Sequence, residues 1–185
     1  MIFELIGKLI SLHMEMDVND ESGAMVYKVR SKLMSASDKT TVFDKDGREI
    51  AKFHKKMFSL HNLHTIEFLG GEVLTMKLEL LHPFKDVIDV EENGWTIKGN
   101  FMSHTYKIYD QDEEVLAEIT RPWISVHNKC RIDVKDEKNT NQLIVLTIVL
   151  EHILIERSQK ETVSVSTAGG AAGGAIAAGA AESGQ

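Results

Sequence analysis

The stretch Gln142–Glu156, QLIVLTIVLEHILIE, decides the reading of this chain. Its apolar residues stand at 143–146, 148–150 and 153–155, so on a 3.6-residue helix they point in nearly every direction rather than along one stripe. A helix with that pattern has to be enclosed. A bilayer is not the enclosure: a span needs about 20 largely apolar residues, and this run of about 15 carries Thr147, Glu151 and His152. The sequence therefore predicts a core helix over 141–156. Asn139, Thr140 and Asn141 offer capping side chains before it, and Glu156, Arg157 and Ser158 return the chain to water after it. Thr147 and Glu151, four apart, share a face that the pattern directs at an opening in the surrounding wall.

The wall is written upstream as short alternating segments. Ile2–Leu9 is followed by pairs that meet across turn signals: Leu12–Val18 with Met25–Ser31, Thr40–Phe43 with Glu49–Lys55, His64–Leu69 with Glu72–Glu79, Val87–Val90 with Trp95–Gly99, and Thr105–Tyr109 with Glu114–Thr120. Lys129–Val134 closes the series. Asp46-Gly47, Gly70-Gly71 and Asn93-Gly94 are hairpin signals because these residues accept positive φ. A phrase of one polar residue, two apolar residues and serine recurs between the units, ending at Ser11, Ser35, Ser59, Ser103 and Ser125; the first three are equally spaced. These serines read as turn caps, and the spacing reads as a repeat. About twelve antiparallel strands exceed what an open twisted sheet carries, so the sheet closes into a barrel around the apolar helix. The expected class is mostly β (α+β): six two-strand repeats around a central C-terminal helix, residues 1–158. The Ala/Gly-rich segment 159–185 is expected to be a flexible tail.

Composition narrows the function. A chain of 185 residues with 43% hydrophobic content suits one domain with a sizeable core. A net charge of −7 argues against nucleic acid as a partner. The single cysteine, Cys130, removes disulfide frameworks and cysteine metal clusters and points to a reducing, cytoplasmic setting; Glu4, Lys8, His13 and Glu15 interrupt any secretory pattern.

Catalytic signals are missing from the chain. Asp44-Lys-Asp-Gly47 lacks the flanking acids of a calcium loop and reads as a turn. His54, His61 and His64 lack the further ligands of a zinc site, so no metal and no cofactor is expected. None of the recurring serines stands in a Gly-x-Ser-x-Gly elbow, and no glycine-rich phosphate loop occurs; the chain does not read as an enzyme. The usable chemistry is cationic. Lys28, Arg30 and Lys32 alternate along one strand, and Lys52, His54 and Lys56 along another, with Lys55 beside them. Period-two spacing puts each row on one face, and adjacent strands would merge the rows into a patch able to hold phosphate oxygens.

Several phrases carry a family resemblance: Lys32-Leu-Met-Ser35, Phe43-Asp-Lys-Asp-Gly-Arg-Glu-Ile-Ala51, Lys55-Lys-Met-Phe-Ser59, Gly94-Trp-Thr-Ile-Lys-Gly-Asn-Phe-Met-Ser-His104, Tyr106-Lys-Ile-Tyr-Asp110, Trp123-Ile-Ser125 and the final helix. Together they resemble the LURP-one-related (YxjI-like) branch of tubby C-terminal-like, scramblase-related barrels, over roughly residues 1–157. The resemblance implies a twelve-stranded barrel around a helix. Among its relatives are phosphoinositide-binding tubby domains, phospholipid scramblases and plant proteins linked to defence. The chain departs from scramblases in having no cysteine-rich palmitoylation segment and no membrane-spanning end. Residues and resemblance together set the expectation: a non-catalytic, cytoplasmic barrel, peripheral to a membrane, that binds an anionic phospholipid or phosphoinositide headgroup through Lys28, Arg30, Lys32, Lys52, Lys55 and Lys56. The alternative is a cytosolic scaffold for a protein partner, with a stress or defence role.

Overall fold

The computed structural model describes residues 1–10, 13–32, 39–56, 62–79, 86–100, 105–122 and 128–170. By compactness the chain divides into Met1–Val149 and Leu150–Gln185. The first unit holds twelve strands: β1 (Ile2–Ile10), β2 (His13–Asp20), β3 (Met25–Lys32), β4 (Lys39–Asp44), β5 (Glu49–Lys55), β6 (Asn62–Phe68), β7 (Val73–Glu79), β8 (Asp86–Val90), β9 (Trp95–Asn100), β10 (Thr105–Tyr109), β11 (Val115–Thr120) and β12 (Asn128–Val134). Each pairs antiparallel with its sequence neighbours, and β1 pairs with β12, so the sheet is a closed barrel. Mutual hydrogen bonds between the Met1 and Val134 backbones, both 2.8 Å, seal the seam. The twelve expected strands are all present, each within two residues of its predicted ends.

The local chemistry of the turns explains the hairpins. Three share one design, in which an aspartate carboxylate accepts the N–H groups two and four residues on. Asp20 takes Ser22 and Ala24 at 2.9 and 3.0 Å, Asp44 takes Asp46 and Arg48 at 2.9 and 2.8 Å, and Asp110 takes Asp112 and Glu114 at 2.9 Å each. The fourth residue must then turn left-handed, and Gly23 and Gly47 do so at φ 82° and 78°. In the third turn Glu113 takes that position at φ 62°. The ladder slips beside each of these turns, at Val18/Asn19, Val42/Phe43 and Ile108/Tyr109, as a three-residue loop with a bulge requires.

Strand alternation sends Leu5, Met16, Val18, Val29, Val42, Phe53, Ile66, Met76, Ile88, Ile97, Ile108, Ile119 and Ile132 into the interior. The helix, α1 (Thr140–Gly170), is preceded by one 3₁₀ turn, Glu137–Asn139, capped by the Asp136 carboxylate on the Lys138 N–H. From Leu143 to Val149 every helical residue has zero exposure, which is the all-round enclosure that the apolar pattern demands. At the barrel mouth the Tyr27 hydroxyl donates to Asn141 Oδ1 at 2.6 Å, and Gln142 Nε2 donates to Glu72 at 3.2 Å. Two expectations differ here. Asn141 holds Tyr27 rather than capping, since Asp136 has already turned the chain. Thr147 faces no opening: it is fully buried, and its hydroxyl donates to the Leu143 carbonyl at 2.8 Å.

In the second unit α1 runs past Glu156, its expected end, to Gly170. No proline or glycine interrupts the chain between Ser158 and Ala168, so nothing local stops the helix there. Glu151 is buried, and so is His152, whose Nε2 lies 3.1 Å from Glu156 Oε1 one turn on. Residues 171–185, most of the expected tail, lie outside the described residues, as do Ser11, Ser35, Ser59, Ser103 and Ser125.

Candidate anion-binding face

The inward residues Val29, Val42, Ala51 and Phe53 set the parity of β3–β5. Lys28 and Arg30 therefore occupy the outer face of β3, Lys32 shares their register parity, and Lys52, His54 and Lys56 follow the outer parity of β5. Lys55 does not join them. It shares the parity of Ala51 and Phe53 and stands opposite buried His64 in the ladder.

The two rows are also not on adjacent strands, as the sequence suggested; β4 runs between them. The ladder places Arg30 opposite Thr41 and Thr41 opposite Lys52, one line across three strands. Neighbouring strands lie about 4.8 Å apart, so the Arg30 and Lys52 backbones are about 10 Å from each other and their side chains can converge over Thr41. The next outward residue of β4 is Lys39, exposed and opposite His54. Lys39 and Thr41 make the rows one surface. A single lysine before two threonines carries no alternating signal of its own, which is why pattern reading passes over it.

Carboxylates stand on the strands that flank this surface, and one lies within it. Glu15 and Asp17 on β2 stand opposite Arg30 and Lys28, and Glu67 on β6 stands opposite Lys52. Lys52 also pairs with Glu49 at 2.7 Å, with side chains 42% and 36% exposed. An ion pair that open to water is worth about 0–1 kcal/mol, so an incoming anion can displace it. At the turn end of β4 the Arg48 backbone N–H, with further help from its side chain, holds the Asp44 carboxyl below the usual aspartate range. That locks Asp44 into the hairpin. Burial, then the Asp44 charge, pushes the Tyr27 hydroxyl up, so it stays a neutral donor to Asn141.

A family profile described as LURP-one-related matches residues 1–151. The chain belongs to the LURP-one-related family. A solved structure of a protein from Arabidopsis thaliana matches with a TM-score of 0.57 at 12% identity, covering 82% of this chain and 91% of that one. At such identity the likeness speaks for the fold alone. No curated protein matches the chain. Among the described residues no helix is long and apolar enough to cross a membrane.

Proposed function

We propose that this LURP-one-related barrel is a non-catalytic binding protein that recognises an anionic phospholipid or phosphoinositide headgroup on the outer face of β3–β5, working in the cytoplasm at a membrane surface. The observation that carries this reading is the Arg30–Thr41–Lys52 line, with Lys39 beside it. Two cations flank a threonine in one line across three strands, a residue set suited to phosphate oxygens. Lys28, Lys32 and Lys56 extend the positive surface, and Lys55, on the inner parity, contributes field rather than contact. With a net charge of −7 the attraction is local, so it is short-ranged and sensitive to salt.

A protein-scaffold reading draws support from one feature, the β6–β7 hairpin, where Leu69 is 75% exposed and Val73 42%. Vesicle co-sedimentation separates the two. Full-length protein should bind anionic and phosphoinositide-bearing vesicles, lose binding as salt rises, and lose it in Arg30→Glu/Lys56→Glu. No binding at any lipid composition would overturn the headgroup reading.

A further inference from the structure

A groove of about 580 Å³ runs over the outer face of β8–β10, lined among others by Val87, Lys98, Asn100, Thr105, Lys107 and Tyr109. The ladder sets Lys98 directly opposite Lys107. Like charges in that position repel, and here each ammonium is drawn aside by its own carboxylate: Lys98 by Glu113, with both oxygens at 2.8 Å, and Lys107 by Glu118 at 2.9 Å. The Lys98 nitrogen also lies 5.1 Å from the centre of the Tyr109 ring.

Glu113 is the unusual member. It occupies the left-handed position that glycine fills in the two sister turns, and among the described residues it is the non-glycine with positive φ. A side chain held in that conformation is strained, and such strain concentrates where the side chain has a task. Its reach to Lys98 is the visible consequence of the placement.

We propose that this groove is a second anion site, for a phosphate monoester whose organic part rests on Val87 and Tyr109, and that Glu113 is its built-in competitor. The phosphate enters between Lys98 and Lys107, with Thr105 and Asn100 at its edge, and takes the place of the Glu113 carboxylate on Lys98. The site lies on different strands from the β3–β5 face and does not depend on it.

The test is a titration of the full-length protein with phenyl phosphate, and separately with inorganic phosphate, followed by backbone amide NMR shifts. Saturable shifts are expected at Lys98, Thr105, Lys107 and Tyr109. Glu113→Gly folds as its sister turns do and should tighten binding about two- to fivefold, the competition an exposed ion pair can supply. Lys98→Met should weaken binding at least tenfold, and Arg30→Glu should leave it unchanged. Phosphatidic-acid vesicles distinguish the source: binding that Lys98→Met removes assigns a lipid monoester, and vesicle binding indifferent to Lys98 assigns a soluble one. Absence of saturable shifts, shifts confined to β3–β5, or a Glu113→Gly variant with unaltered affinity would overturn the proposal.

Discussion

Replacing Gly99 by alanine is the sharpest test of the barrel interior. Gly99 in β9 stands between Asp86 and Tyr106 in the ladder, and the Tyr106 ring folds flat over it so that its hydroxyl reaches Asp86 Oδ2 at 2.8 Å, two strands away. A methyl carbon on Gly99 would lie 2.1 Å from Tyr106 Cδ1 and 2.6 Å from Cε1 and Cγ. Ordinary carbon contacts need about 3.5 Å or more, so the ring must shift by more than 1 Å. It has no free space to enter, being 1% exposed, and moving it breaks the bond to Asp86. Overpacking of this kind costs about 1–3 kcal/mol, and loss of a hydrogen bond to a buried carboxylate about 1.5–3 kcal/mol. Gly99→Ala should therefore destabilise the fold by about 3–5 kcal/mol, a fall in Tm of about 6–20 °C for a chain of this size. Urea and thermal denaturation of the single variants and of Gly99→Ala/Tyr106→Leu measure it. With the ring gone, the alanine should cost less than about 1 kcal/mol, so the two sites are strongly coupled. A Gly99→Ala protein within about 0.5 kcal/mol of the parent, or additive effects in the double variant, would refute the packing argument.

Other consequences are simpler to check. Gly71 turns at φ 87° while its neighbour Gly70 does not, and neither has an atom within 4 Å of an added Cβ. Gly71→Ala should thus cost about 1–2 kcal/mol and Gly70→Ala almost nothing, and equal melting temperatures would contradict this. Asp20, Asp44 and Asp133 are held below the usual aspartate range, chiefly by the Ser22 hydroxyl, the Arg48 backbone N–H and the Lys135 ammonium. A depressed folded-state pKa stabilises above the unfolded value and is lost as pH falls through the folded one. Stability from these groups should be level from pH 7 to about 5 and fall below about pH 4, with Asp20→Asn/Asp44→Asn flattening that acid limb. Ile144→Ala in the enclosed helix should cost about 2–5 kcal/mol in denaturant unfolding, and a loss below 1 kcal/mol would mean the helix is not sealed in.

The architecture was legible because its signals are local. Period-two alternation marks each strand, Gly47, Gly71 and Gly94 mark turns, and residues 143–150 mark a helix with no solvent side. What escaped the sequence depends on register and strand order. A meander pairs consecutive strands, so β3 and β5 must flank β4, but pattern reading treats each strand alone and set the two basic rows side by side. The same limit hid Lys39 and Thr41, which matter only through what stands opposite them. Asp86 lay just outside the strand expected to begin at Val87, whereas the ladder includes it and its carboxylate accepts from the Tyr106 hydroxyl. The turn after Tyr109 was legible, but not that Glu113 takes its left-handed position, since such backbone is read from glycine and here a glutamate adopts it. The helix beyond Glu156 was missed because the shift to polar residues looked like an exit, although polarity ends burial without ending a helix.

The outer face of β3–β5 is the surface proposed to meet an anion. Paramagnetic broadening of backbone amides on anionic vesicles carrying a spin-labelled lipid locates that surface directly. Broadening should centre on Arg30, Thr41 and Lys52, extend to Lys28 and Lys39, and be relieved by salt. Broadening centred on the opposite wall, β8–β12, or on the Leu69 hairpin with β3–β5 untouched, would contradict it.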